Sequence, residues 1–108
     1  MTEKRYLMVR VKRSSNSSRY LTISEVACRC GVHPDLIDRF VQLGLIDFAE
    51  TDPDGQTLFI DEVIPIVRKI LRLRNQLGVN YAGIGVILEL MARIELLERQ
   101  LRKAFENE

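Results

Sequence analysis

The sequence predicts a mainly α-helical fold that includes a small β hairpin and ends in a long coiled-coil helix. Three features support this prediction. Two short apolar-periodic segments between residues 22 and 46 are separated by a glycine, which is typical of a pair of helices. A DPDG turn motif at residues 52–55 is flanked by short apolar segments. Apolar residues then repeat at helical spacing over residues 87–104.

The first helix of the pair is predicted over residues 23–30. Thr22 and Glu25 have the spacing of a capping box, in which each side chain accepts a hydrogen bond from a backbone amide at the start of a helix. Gly31 can adopt the left-handed conformation that ends a helix. The predicted helix therefore has a start signal and a stop signal at the correct separation.

The second helix is predicted to open at His33 and Pro34, because proline at the first helical position loses no hydrogen bond. Gly44 is expected to end it. Two short helices joined by a turn that contains glycine form a helix-turn-helix unit. The apolar stripe predicted for the second helix is Ile37, Phe40, Val41 and Leu43.

The turn at residues 52–55 is predicted to join strands over residues 46–48 and 58–60 into a hairpin, a wing beside the helix pair. Residues 5–13 alternate in hydropathy, which predicts a further strand that could extend this hairpin. The SSNSS sequence at residues 14–18 predicts a mobile loop. The basic residues of this N-terminal segment either contact nucleic acid or keep an edge strand from pairing with another chain.

A third helix is predicted from a cap at Asp61 to Leu77, and Gly78 is expected to end it. Its predicted inward face consists of Val63, Val67, Ile70 and Leu77. Its basic side chains are expected to face solvent, with contact to phosphate or to a partner as the alternative; they are Arg68, Lys69, Arg72 and Arg74.

The last helix is predicted from Asn80 to about Phe105. Its apolar residues follow alternating steps of three and four, which predicts a coiled-coil seam and a homodimer, with packing onto the third helix as the alternative. The residues predicted to dimerise are Ile87, Leu90, Ile94, Leu97 and Leu101. The predicted organisation is a basic strand and flexible loop over residues 1–19, a winged helix-turn-helix over 20–78 and a dimerisation helix over 79–108.

The small net charge of +1 hides a strong asymmetry along the chain. Residues 1–19 hold six Lys or Arg and one acid, for a net charge of +5. Residues 20–67 hold two Lys or Arg and nine acids, for −7, and residues 68–108 hold eight and five, for +3. The predicted helix-turn-helix and its wing therefore lie in the acidic part of the chain, which disfavours a polyanionic partner.

The sequence does not predict an enzyme. Cys28 and Cys30 point away from each other on one helix, so they are not expected to share a metal ion, and His33 is the only histidine. No catalytic cluster, phosphate-binding loop or cofactor motif is present, so we expect no cofactor. The cysteine usage, with no secretion signal or segment long enough to span a bilayer, predicts a cytoplasmic protein.

The run GVHPDLIDRFVQLGLI at residues 31–46 resembles the MerR-type motif G-V-S-x-R-T-L-R-Y-Y-E-x-x-G-L-L. The order of helix-turn-helix, wing, LRLRNQLGV helix and coiled coil also resembles the MerR-type architecture over residues 20–105. Where that family carries DNA-contacting arginines this chain has Asp35 and Asp38, and Arg39 replaces the first of two paired tyrosines. Carboxylates repel phosphates, so weak DNA binding or none is expected. The scaffold positions that match are Gly31, Val32, Phe40, Gly44 and Leu45.

The acidic second helix, the LGLIDFAE sequence and the segment VRKILRLRNQLGVNYAGIGVILELM resemble the CbpM-type chaperone modulators. This resemblance implies that the protein binds the J-domain of a DnaJ-like, CbpA-type co-chaperone and inhibits its stimulation of DnaK. A basic J-domain helix would fit an acidic surface. The candidate partner-binding residues are Asp35, Asp38, Arg39, Gln42, Glu50, Asp52 and Asp54.

Two other functions are compatible with the sequence. One is a MerR-like DNA-binding transcriptional regulator with an unusual site or with a DNA role for its basic N-terminal segment. The other is an adaptor for a different basic protein. Sequence-selective DNA binding at physiological salt would distinguish the first from a chaperone modulator.

Overall fold

A computed structural model describes residues 19–106, and its elements follow the order β1-α1-α2-β2-β3-α3-α4. The fold is mainly α-helical with a small antiparallel sheet, as predicted. The strand predicted over residues 5–13 and the loop over 14–18 lie outside the described residues. The elements are β1 Tyr20–Thr22, α1 Ile23–Cys30, α2 Pro34–Gln42, β2 Glu50–Thr51, β3 Thr57–Ile60, α3 Val63–Leu77 and α4 Tyr81–Glu106.

Strand β1 leads directly into α1 because Thr22 belongs to both. Its backbone lies opposite Leu58 in the sheet, and its Oγ1 accepts a hydrogen bond from the amide of Glu25 at 3.2 Å. The Glu25 carboxylate in turn accepts the Thr22 amide at 2.8 Å. Gly31 ends the helix with φ 71°. The predicted capping box and the predicted bounds of α1 are confirmed.

Helix α2 begins after His33, whose Nδ1 accepts the amide of Asp35 at 3.0 Å. Ile37 and Phe40 are fully buried, as predicted. The prediction that Leu43 faces inward is wrong, because this residue caps the C-terminus of α2 and its side chain is exposed. The chain turns at a left-handed glycine immediately afterwards, and Ile46 enters the core instead.

The sheet has the strand order β1-β3-β2 with antiparallel pairing throughout. The predicted hairpin turn is confirmed, and the Asp52 carboxylate stabilises it by accepting the amides of Asp54 at 3.0 Å and Gln56 at 2.8 Å. The prediction of a strand over residues 46–48 is wrong. Because the turn fixes the register, pairing begins at Glu50, while the apolar residue that suggested a strand is buried in the core.

The cap position of helix α3 lies one residue later than the sequence predicts. Asp61 does not cap it with its side chain; Glu62 occupies the cap position and makes no side-chain hydrogen bond there, while the Asp61 carbonyl accepts the amide of Ile64 at 3.1 Å. The prediction that Leu77 faces the core is also wrong, because it lies in the last turn, before the chain reverses at Gly78 with φ 69°. The predicted inward residues Val63, Val67 and Ile70 are buried.

Among residues 19–106, helix α4 contacts the rest of the fold only through its first turns. Asn80 caps it by accepting the amide of Gly83 at 2.7 Å, and Ile84 is its one buried residue among those described. A Cβ at position 83 would lie 2.9 Å from a methyl of Val79, whereas a Cβ at position 85 would lie 3.6 Å from Leu45. Beyond these turns the helix projects away from the core.

The core joins all three layers of the fold: the helix pair, the sheet and α3. Its members are apolar, and no polar or charged residue of residues 19–106 is buried with them. No helix in this range is both long and apolar enough to cross a membrane. The core consists of Leu21, Val26, Ala27, Ile37, Phe40, Ile46, Phe59, Val63, Ile64, Val67, Ile70 and Ile84.

Candidate partner-binding surface

The acidic residues cluster in one part of the chain, residues 31–62, which we call the acidic segment. It spans α2, the hairpin and the approach to α3, and holds eight acids and one Arg or Lys. Within residues 19–106, no carboxylate of this segment forms an ion pair with a lysine or arginine. The charge of the segment is therefore not neutralised by the rest of the described fold.

Asp35 and Asp38 lie one turn apart on the exposed side of α2. The Asp35 carboxylate is 94% exposed and lies 3.6 Å from Nδ1 of His33. That nitrogen also accepts a hydrogen bond from the backbone amide of Asp35 at 3.0 Å. Gln42 donates a hydrogen bond to Asp38 at 2.8 Å, which orients the carboxylate outward along the helix. Both carboxylates are open to a partner.

The hairpin contributes acids of two kinds. Glu50 is exposed on β2, opposite Leu58, and Asp54 is exposed in the turn. Asp52 is half-buried, and its carboxylate is already occupied by the two amide hydrogen bonds of the turn. Of the hairpin residues predicted to bind a partner, Glu50 and Asp54 remain available, while Asp52 has a structural role.

Arg39 lies at the junction of α2 and α4. Its guanidinium carbon is 5.5 Å from the ring centre of Tyr81, and that of Arg74 is 4.6 Å from the same ring. The rings of Tyr81 and Phe40 also form an edge-to-face pair, with ring centres 5.8 Å apart and planes at 63°. Tyr81 therefore ties the start of α4 to α2 and α3. No periodic pattern in the sequence indicates this role of Tyr81, because its partners lie on other helices.

The residues predicted to dimerise lie along α4. Ile87 is half-buried, whereas the other four are between 53% and 59% exposed. These four side chains do not pack onto α3, so the described residues do not form the alternative intramolecular seam. The four exposed members are Leu90, Ile94, Leu97 and Leu101.

The cysteines lie in the last turn of α1. Cys28 is exposed, and Cys30 is partly buried. Burial raises the pKa of the Cys30 thiol, and the positive charge of Arg68 opposes this only in part. Within residues 19–106, no three His, Cys, Asp or Glu side chains are grouped so that they could hold a metal ion.

Solved structures share this fold. The chain aligns with the crystal structure of HiNmlR, a MerR family regulator lacking the sensor domain and bound to promoter DNA. The TM-score is 0.61 and the identity 19%, over 80% of this chain and 70% of that one. A MerR family transcriptional regulator from Bacillus cereus aligns with a TM-score of 0.59 and 18% identity, over 82% and 71% of the two chains. At these identities the likeness concerns the fold.

Sequence comparison identifies the family. Residues 21–104 match the model of the MerR HTH family regulatory proteins. The chaperone modulatory protein CbpM of Citrobacter koseri is 31% identical over 75% of this chain and 79% of its own length. The chain belongs to the MerR-type helix-turn-helix family and to its CbpM group. CbpM of Salmonella arizonae is 30% identical over 82% of this chain and 87% of its own length, and CbpM of Escherichia coli O1:K1 / APEC is 28% identical over 82% and 86%.

The comparisons confirm both resemblances that the sequence suggested. The relatives are named as modulatory proteins, which supports a chaperone modulator role for this chain and is consistent with a protein that is not an enzyme. The MerR scaffold and the acidic second helix therefore occur together in one CbpM-group chain.

Proposed function

We propose that this protein is a non-catalytic modulator that binds the J-domain of a DnaJ-like, CbpA-type co-chaperone through α2 and inhibits its action on DnaK. The observation that carries this proposal is the pair of exposed carboxylates, Asp35 and Asp38, on the helix where MerR-type DNA-binding proteins carry arginines. A basic partner accounts for them, because both carboxylates are exposed and neither forms an ion pair with a lysine or arginine of residues 19–106.

Electrostatic attraction explains how such a surface would select its partner. Opposite charges across an interface accelerate association and reject partners of the wrong sign. The exposed Glu50 and Asp54 of the hairpin extend the same sign of charge beyond α2. A basic J-domain helix that docks on this surface would be unavailable to DnaK, and this occlusion would be the inhibitory step.

The second part of the proposal is that α4 forms a homodimer, with residues 79–108 as the dimerisation region and residues 20–78 as the binding region. Four large apolar side chains in successive seam positions are exposed. Their contact with water is unfavourable, and association would remove it. A second copy in a coiled coil would cover them. We place the assembly in the cytoplasm, with DnaK-type chaperones.

Charge reversal on α2 tests the proposed interface. Asp35→Arg combined with Asp38→Arg should leave the fold intact, because both side chains are exposed, and should slow association with the J-domain roughly ten-fold or more. Glu89→Arg with Glu95→Arg is the matched control, since it changes the net charge equally at exposed positions of α4 outside the seam. The measurement is association and dissociation rates at two salt concentrations, with melting temperature as the fold control.

Salt should distinguish steering from a local structural effect. The wild-type association rate should fall as salt rises, because steering extends over a Debye length, roughly 8 Å at physiological ionic strength. The α2 variant should have lost most of this dependence. Unchanged kinetics in the α2 variant would place the interface elsewhere. A nanomolar, sequence-selective DNA complex at physiological salt would instead favour the transcriptional regulator, and tight binding to an unrelated basic protein would favour the adaptor.

A further inference from the structure

Two large apolar side chains of the acidic segment are exposed, and both lie in the connection between α2 and β2. Leu43 is 46% exposed and Phe48 is 48% exposed. No other large apolar side chain of residues 31–62 is exposed to this degree. Exposed aliphatic and aromatic groups remain in unfavourable contact with water, and a partner that covered these two side chains would remove that contact.

The backbone holds Leu43 in a defined place. Its amide donates to the carbonyl of Arg39 at 2.9 Å, and the amide of Gly44 donates to Val41 at 3.0 Å. The side chain thus lies at the ordered C-terminus of α2 and directly follows Gln42, which holds the Asp38 carboxylate.

Phe48 is held from both sides. Ile46, two residues earlier, is buried in the core, and the amide of Ala49 donates to the carbonyl of Leu58 at 2.7 Å. The ring is therefore presented outward from a fixed backbone, with Asp47 immediately before it along the chain. Phe48 lies five residues from Leu43, a separation of at most about 17 Å, so one partner can contact both.

We infer that Leu43 and Phe48 are the apolar anchors of the partner interface and that they bind apolar side chains set among the Lys and Arg residues of a basic partner segment. This inference rests on the proposed function. Surface charges mainly accelerate association, whereas a few well-packed residues that lose all contact with water carry most of the binding energy. An apolar centre with a charged rim is also the usual arrangement of protein interfaces. The charge of the acidic segment requires a basic partner segment, and the two anchors require that this segment also carries apolar side chains.

The test uses truncations with matched controls. Leu43→Ser and Phe48→Ser in the full chain should each raise the dissociation rate from the J-domain of a CbpA-type co-chaperone about ten-fold. The association rate and its salt dependence should stay as in the wild type. Leu77→Ser is the control for Leu43, because Leu77 is an equally aliphatic, exposed residue that also precedes a left-handed glycine. Tyr20→Ser, which removes a 51% exposed aromatic ring on β1, is the control for Phe48.

The outcomes separate this inference from the proposed function. If the wild-type chain does not bind the J-domain, the proposed function fails and the inference fails with it. If the wild type binds and Leu43→Ser and Phe48→Ser dissociate at the wild-type rate, the inference alone is overturned. Sedimentation of the same variants tests whether a second copy of this chain covers the two residues. If the variants lose self-association but still bind the J-domain as the wild type does, the inference is also overturned. Should a serine variant melt early, Leu43→Gln and Phe48→Gln provide the same comparison.

Discussion

Replacing Tyr81 by leucine should destabilise the fold by more than an ordinary exposed substitution. Two guanidinium groups lie within 5.5 Å of the ring centre, and each such contact is worth about 0.5–1 kcal/mol at an exposed site. The edge contact with Phe40 adds about 0.5–1.5 kcal/mol. Leucine keeps apolar volume but has no ring, so Tyr81→Leu should lower the free energy of unfolding by roughly 1.5–3.5 kcal/mol.

The assay is thermal and urea unfolding followed by circular dichroism at one fixed protein concentration, because self-association also affects the melting temperature. For a chain of this size, 1 kcal/mol corresponds to a melting-temperature shift of roughly 4 °C, so a decrease of roughly 6–14 °C is expected. Tyr81→Phe is the control, since it retains the ring, and it should remain within about 0.5 kcal/mol of the wild type.

A double-mutant cycle isolates the stronger cation–π contact. Arg74→Gln and Tyr81→Leu should be non-additive by about 0.5–1 kcal/mol, because the first substitution removes the cation that lies 4.6 Å from the ring centre. Additive effects, or a Tyr81→Phe variant as unstable as Tyr81→Leu, would refute the reasoning. In either case the ring would not be what joins α4 to the helix pair.

Three further predictions follow from the described side chains. Leu97→Glu should make the protein monomeric in sedimentation experiments, because the dimer would otherwise bury an unpaired charge at a cost of roughly 3–5 kcal/mol; a wild type that is already monomeric at micromolar concentration would contradict the proposed dimer. Gly85→Ala should stabilise the protein by up to about 1 kcal/mol in urea unfolding through helix propensity, whereas Gly83→Ala should be destabilising because its Cβ would lie 2.9 Å from a valine methyl. Iodoacetamide should alkylate Cys28 faster than Cys30 at mildly alkaline pH, as followed by mass spectrometry, because burial raises the pKa of the Cys30 thiol and restricts access to it; equal rates would contradict this.

Local signals predicted the parts of the fold that depend on local chemistry. The capping box at Thr22 and Glu25 specified the start of α1, because both hydrogen bonds lie within one turn. Residues next to left-handed glycines were harder to assign. Leu43 and Leu77 continue the apolar spacing of their helices, but the chain reverses just beyond each of them and no element of residues 19–106 covers either side chain. The periodicity of apolar residues alone does not show whether another element packs against each of them.

Long-range contacts explain most of the remaining differences. The apolar residues Ile46 and Phe48, on either side of Asp47, suggest a strand, but the side chain of Asp52 holds the turn in a register that begins pairing at Glu50. The contact between Arg39 and Tyr81 joins residues far apart in sequence, so no spacing rule indicates it. The acidic character of α2 was readable from the sequence, but the outward position of Leu43 and Phe48, which completes the candidate interface, required the folded chain.

The outer half of α4 has a consequence for the local stability of the protein. Every residue over 92–106 is exposed, so this helical stretch of about 22 Å has no packing from the described core to hold it. Helices of 12–15 residues are only marginally stable in water without such packing. Backbone amides of this stretch should therefore exchange with solvent hydrogen through low-energy local opening in the monomer. Association would slow that exchange, so in this half of the helix folding and self-association become one equilibrium governed by protein concentration.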